Sequence, residues 1–142
     1  MRAVLALTGL LALLAACGGS SGPAGPTATP ATPIDGAITV RAFEFGFEPA
    51  SIALQQGEQV TLVLDNQGAI LHDFKVEDLT ADVIESRSSG PLSGDEGSLF
   101  VGADDHDQGT LVFVPLEPGT YTFHCTLEGH RQLGMEGTLV VE

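Results

Sequence analysis

From Gly36 onward the chain divides into short runs in which apolar and polar positions alternate, the period of a half-buried strand. Ala37 to Phe45 (AITVRAFEF) is the first, closed by Pro49. Ser51 to Leu54 is a short strand with Gln56-Gly57 as its turn, and Glu58 to Asp65 (EQVTLVLD) follows, rich in β-branched residues and Leu. Asn66-Gln67-Gly68 supplies the next turn, before a strand over Ile70 to Val76 (ILHDFKV). The pattern resumes at Gly109 to Val114 (GTLVFV); Pro115, Pro118 and Gly119 turn the chain into Thr120 to Cys125, and Gly137 to Val141 (GTLVV) comes last. No segment of this region sustains a helical period, so the predicted fold class is all-β, a sandwich of about seven to eight strands. Asp78 to Gln108 gives no clear period; it is acidic, Ser- and Gly-rich from Ser86 to Gly94, and ends Asp104-Asp105-His106-Asp107. That segment is expected to be a solvated loop, with a second cation site at His106 as the alternative.

The first thirty-five residues have a different character. Met1-Arg2 precedes an apolar run, Ala3 to Ala16, too short for an ordinary transmembrane helix but of the length and order of a secretory leader. The run ends Leu14-Ala15-Ala16-Cys17-Gly18, which resembles the lipobox of bacterial lipoproteins, in which the cysteine is acylated and becomes the mature N-terminus. Gly18 to Asp35 (GGSSGPAGPTATPATPID) holds four of the eight prolines and no apolar periodicity, the composition of a tether. The expected organisation is a signal peptide over 1–16, a lipidated Cys17 with a flexible linker over 17–35, and one domain over 36–142. Such a protein is extracytoplasmic and held to a bacterial membrane by its lipid.

Charge narrows the partners. The 19 acids against 5 Lys and Arg give a formal net charge of -14. A chain this acidic repels nucleic acid phosphates and favours a basic partner. The same acids keep the domain soluble and monomeric. Of the two cysteines, Cys17 belongs to the anchor and Cys125 to the domain, so no disulfide framework is expected.

The densest chemistry lies in Tyr121-Thr122-Phe123-His124-Cys125-Thr126-Leu127-Glu128-Gly129-His130-Arg131-Gln132-Leu133-Gly134-Met135. A thiol, an imidazole and a thioether recur there as C-x4-H-x4-M. Soft thiolate and thioether ligands with imidazoles suit copper, and two His with one Cys and a distant Met form the blue-copper set; His72 supplies the second imidazole. Alternation along the strand aims Tyr121, Phe123 and Cys125 inward and Thr122 and His124 outward. Gly129 and Gly134 allow the following loop to curl His130 and Met135 back toward the thiol.

With these residues in place, the region from about Gly36 to Glu142 resembles a plastocyanin/azurin-type cupredoxin, with loop spacing similar to auracyanin-like and rusticyanin-like members. The matching pieces are the turn from Asn66 to His72, Pro118-Gly119-Thr120-Tyr121 leading to Cys125, the Gly129-His130 pair, and Gly134-Met135 to Val141. The resemblance implies a Greek-key sandwich holding one copper ion between His72, Cys125, His130 and Met135. It also implies a partner surface at His130 flanked by Leu127 and Leu133. Many family members have Asn after the first His, tying the two ligand segments together; here the residue is Asp73, with Thr126 as its expected partner. A carboxylate there favours Cu(II) and lowers the potential.

The expected function is single-electron carriage between redox partners, such as a basic cytochrome or a membrane redox complex. A multicopper oxidase needs further copper ions held mainly by histidine, and only His106 and His124 remain in this chain. A copper carrier or store is the alternative; such proteins more often use Met-rich or paired His and Cys sites, and the chain has one Met besides the initiator.

Overall fold

The computed structural model describes residues 29–142, so the leader, Cys17 and most of the linker lie outside the described residues. Ten strands follow one another: β1 (Ala37–Phe43), β2 (Gly46–Glu48), β3 (Ser51–Leu54), β4 (Val60–Asn66), β5 (His72–Val76), β6 (Ala81–Arg87), β7 (Phe100–Ala103), β8 (Gln108–Pro115), β9 (Gly119–His124) and β10 (Glu136–Val141). One short 3-10 turn, Arg131–Leu133, interrupts them. The strands form two five-stranded sheets, ordered β2-β1-β4-β8-β6 and β3-β10-β9-β5-β7.

The alternation in the sequence is what sorts side chains between core and solvent. In β1, Ile38, Val40 and Ala42 are buried while their neighbours are exposed, and β4 buries Val60, Leu62 and Leu64 in the same rhythm. These meet Leu111 and Phe113 of β8 and, from the second sheet, Ile52, Leu54, Phe74, Phe123, Leu139 and Val141 in one contiguous core. Phe74 and Phe123 stack at 4.6 Å between ring centroids, and Phe47 sets its edge against both, at 5.9 and 5.4 Å. Each such side chain contributes about 1.5–3 kcal/mol on burial. The aromatic cluster lies below the end of β9, where Cys125 emerges, and so gives the ligand loop a rigid base.

Two backbone contacts fix the ends of the ladder near that loop. Gly137 lies so close to Phe123 and to the carbonyl of Ala50 that a Cβ there would sit 2.2 and 2.5 Å from them. His124 and Glu136 are opposite each other in the β9–β10 register, so the segment between them is closed at its base.

Three expectations need correction. The strand count is ten rather than seven to eight, because Asp78 to Gln108 contains β6 and β7 and because Gly46–Glu48 pairs with β1. β6 was obscured by its edge position: Asp82 and Ile84 face outward, the half-buried Ala81 and Val83 are its only apolar residues packed against the core, and a bulge between Val83 and Glu85 breaks the alternation. β7 is buried on both faces, so it has no alternation to read. The first strand ends at Phe43, and Glu44-Phe45 forms the turn into β2.

The last residues assigned to the linker are built into the domain. Ala31 N–H donates to Ser51 O, and its carbonyl accepts from Ala53 N–H, both at 2.9 Å, which adds a short strap to the edge of β3. Ile34 and Ala37 then exchange backbone bonds across a tight reversal into β1.

Candidate metal centre

His72 opens β5, Cys125 follows the last residue of β9, His130 precedes the 3-10 turn, and Met135 precedes β10. The ligand atoms of His72, Cys125 and His130 all lie within 4.8 Å of one another. Among the described residues this is the one cluster of three or more His, Cys, Asp or Glu side chains at metal-binding separation. Cys125 Sγ is 3.4 Å from His130 Nδ1, and the His72 and His130 rings are 5.2 Å apart at 62°. Met135 is fully buried, and its backbone is bonded to that of Cys125 and His130.

Local backbone bonding explains how eleven residues carry three of these side chains. Met135 O accepts from Cys125 N–H, and His130 O accepts from Met135 N–H, both at 3.1 Å, so the loop folds back on itself. Gly134 closes the 3-10 turn at φ 102° and Gly129 turns the chain at φ 83°, left-handed conformations that glycine adopts without a Cβ penalty. His72 is presented by a separate device. The Asn66 amide shares its hydrogens among the carbonyls of Ile70 (2.8 Å), Ala103 (3.1 Å) and Asp104 (2.9 Å), while Asn66 Oδ1 accepts from Gly68 N–H at 2.9 Å.

The two ligand segments are then stitched together. Asp73 is fully buried; its carboxylate accepts from Thr126 N–H at 2.7 Å and from the Thr126 hydroxyl at 2.6 Å. The tie expected of the Asp73 and Thr126 pair is present, with both carboxylate oxygens engaged.

The electrostatics suit a soft cation. Burial pushes the Cys125 thiol up, against the lowering pull of the N–H groups of Asp73 and Leu127. Burial pushes His72 down, reinforced by His130 and opposed by Glu44, so its imidazole is neutral and open to coordination. Both ring nitrogens of the fully buried His72 lack a hydrogen-bond partner. Buried polar atoms are ordinarily paired, and a metal shared with the buried thiol would satisfy one of the two. The donor set of two imidazoles, one thiol and a neighbouring thioether therefore fits copper.

Residues that the sequence reading did not connect to the site also surround it. Phe45 sets its ring edge against His130 at 4.8 Å and His72 at 6.4 Å. Its neighbour Glu44 accepts from Ala69 N–H at 2.8 Å and comes to 3.6 Å from His72 Nε2. Desolvation raises the Glu44 carboxyl, but backbone hydrogen bonds at Glu44, Ala69 and Ile70 outweigh it, leaving it below the usual carboxylate range. No local pattern marks this pair, because the β1–β2 turn must fold over before either side chain meets a ligand.

His124 differs from expectation: it is buried, not an outward-facing strand residue. It sits at the end of β9, opposite Lys75 and Glu136, with Glu77 Oε1 3.7 Å from its Nε2. Glu77 in turn pairs with Arg131 at 3.2 Å, so this ion-paired side chain from the ligand loop lies beside His124. Burial pushes His124 down and Glu77 opposes. His106 is exposed, and Asp104 and Asp107 accept from Asp105 and Gln108 N–H as turn caps, in keeping with a solvated loop. Of the expected partner surface, Leu133 is 62% exposed and His130 partly exposed, whereas Leu127 packs against the core.

Comparison with known proteins agrees with this geometry. The chain is 33% identical over 99 residues to the copper-resistant cuproprotein CopI of Rubrivivax gelatinosus, covering 67% of this chain and 59% of that protein. It is 30% identical over 127 residues to CopI of Pseudomonas aeruginosa, covering 68% and 70%. The fold is similar to the auracyanin of Roseiflexus castenholzii, with a TM-score of 0.60, 21% identity, and 75% of this chain and 97% of that one covered. It is also similar to part of a multicopper oxidase from Campylobacter jejuni, with a TM-score of 0.57, 15% identity, and 82% of this chain but 31% of that one covered. The sequence model described as "Copper binding proteins, plastocyanin/azurin family" matches residues 34–142, the whole sandwich with all four expected ligand positions. Two imidazoles and a buried thiol converging at one end of such a sandwich are the chemistry that this description names, and the chain belongs to the plastocyanin/azurin family of copper-binding proteins.

Proposed function

We propose that the domain binds one copper through His72, Cys125, His130 and Met135 and carries single electrons. Bound copper supplies a one-electron Cu(I)/Cu(II) couple. The protein's contribution is rigidity. The observation that carries the reading is that Thr126 donates twice to Asp73 and that the backbone of Cys125, His130 and Met135 is bonded together, which ties the ligand loop to β5. Donors fixed in one arrangement move little when the charge at the centre changes, which keeps the barrier to electron transfer low.

His130 is the exit in this reading. Its Nδ1 faces Cys125 while the residue is partly open to solvent beside the exposed Leu133. Ile70, two residues before His72, is also exposed. An apolar surface brings a partner into close contact, and the surrounding acids steer a basic one, such as a cytochrome. The acylated Cys17 and its linker would hold the domain on the outer side of a bacterial membrane, within reach of a membrane redox complex. The protein acts as a monomer and has no catalytic substrate of its own, since an oxidase would need more histidine than the two remaining in this chain.

The CopI relatives favour a second reading, copper handling without electron carriage. One experiment separates them. The purified domain is loaded with Cu(II), and its reduction and reoxidation by a cytochrome are followed by stopped flow alongside transfer of copper to a chelator. Fast electron exchange with copper retained supports the carrier of electrons; slow exchange with rapid copper release overturns it in favour of the copper carrier.

A further inference from the structure

The turn between β1 and β2 does more than cover the ligand rings. Glu44 reaches from it across the turn that precedes His72, where Ala69 N–H binds Oε1 at 2.8 Å. Gly68 leaves the space for this: a Cβ at that position would lie 2.6 Å from Glu44 Oε1. The same oxygen stands 3.6 Å from His72 Nε2, beyond hydrogen-bond length but close enough for a strong charge contact with a ring N–H. The side chain of His72 is fully buried and that of Glu44 is 34% exposed, so the carboxylate stands at the solvent edge of the ligand ring.

We propose that Glu44 is a positioning residue for the copper centre, which holds the His72 proton on Nε2, directs Nδ1 to the metal, and stabilises Cu(II) relative to Cu(I). An imidazole has two nitrogens, and the partner of one decides which is left to coordinate. His130 presents Nδ1 to Cys125. For His72, the carboxylate on the Nε2 side assigns that nitrogen the proton and leaves Nδ1 as the donor. The carboxylate also places a fixed negative charge one ring away from the metal, which favours the more highly charged oxidation state. Ala69, Gly68 and the β1–β2 register lock the carboxylate there, so it needs no rearrangement when the metal changes charge.

The inference rests on the copper reading above, and its test keeps the two apart. In the metal-free protein at neutral pH, long-range nitrogen–proton correlations of the imidazoles are expected to show His72 as the Nε2–H tautomer; a dominant Nδ1–H form overturns the proposal without reference to copper. Glu44→Gln retains an oxygen for Ala69 N–H but removes the charge. Competition against Cu(II) and Cu(I) chelators should show the ratio of Cu(II) to Cu(I) affinity falling about tenfold. Gly68→Ala, which displaces the carboxylate without altering it, should shift the ratio the same way. A ratio in Glu44→Gln within about twofold of wild type, where a tenfold change is expected, overturns the proposal even if Gly68→Ala fails to fold. A wild-type protein that binds no copper would instead overturn the copper reading, while the tautomer measurement would still decide the role of Glu44.

Discussion

Asp73 and Thr126 are joined by two hydrogen bonds across 53 residues of sequence, each immediately following a copper ligand in the chain. The pair holds the start of β5 against the start of the ligand loop, so the separation of His72 and Cys125 is set by protein bonds. Hydrogen bonds to a charged group contribute about 1.5–3 kcal/mol each. Asp73→Ala should therefore cost about 3 kcal/mol in a denaturant titration. Asp73→Asn can keep both bonds, with its oxygen accepting from the Thr126 N–H and its amide donating to the hydroxyl. It removes a buried negative charge beside the centre, so its potential should rise in a voltammogram; an unchanged or lower potential would contradict that assignment.

Cys125 and Met135 separate the roles of the ligands. Cys125→Ser removes the sulfur responsible for an intense charge-transfer band in the visible spectrum, and the copper-loaded variant should be nearly colourless. Met135→Gln should keep one copper per chain by mass spectrometry while lowering the potential, because an amide oxygen favours Cu(II) more than a thioether does. A Cys125→Ser protein that remains strongly coloured would refute the ligand set.

Gly137→Ala tests the packing beneath the site. The added methyl group would overlap the Phe123 ring and the Ala50 carbonyl, and one of these contacts is backbone. Overpacking of this kind costs about 1–3 kcal/mol. Thermal unfolding should show the loss, and the visible spectrum should change little if the variant folds, since the loop is tied to β5 independently through Asp73.

Leu133→Asp tests the exit. The side chain is mostly exposed near His130, at 62%, so stability and spectrum should stay close to wild type. The rate of electron exchange should fall, because a charge at the contact must be desolvated. The rate for the wild type with a basic cytochrome should also fall with added salt, as screening shortens the reach of the acids to about 8–10 Å near physiological ionic strength. A rate that rises with salt would give the steering the opposite sign.

Much of the first sheet was legible because its strands show one face to the core: Ile38, Val40 and Ala42 in β1 and Val60, Leu62 and Leu64 in β4 follow the alternation closely. The ligand loop was legible because three chemically rare side chains share a short spacing. Four features were not legible, each for a different reason. β7 is buried on both faces and carries no period. The direction of His124 was inferred from alternation, but at a strand end the side chain lies beside Arg131 and Glu77, which only the folded loop brings there. Glu44 and Phe45 reach the site through a turn whose position depends on the β1–β2 hairpin. The strap at Ala31 went unread because Pro and Thr dominate its composition, while its pairing uses backbone groups alone.

The closure of the second sheet also sets an order in time. β10, the last of the described strands, pairs in parallel with β3 from near the start of the domain and in antiparallel fashion with β9. Its first residue lies opposite His124 and directly follows Met135. The loop holding three ligands cannot close at its base until β10 docks, and pairings between distant parts of a chain form late and slowly. His72 must likewise wait for β5 to find β9 and β7. A nascent or partly folded chain therefore offers isolated donors but no complete site, so full coordination is a late event. Copper taken up with the native geometry reports that the chain from first strand to last is in register.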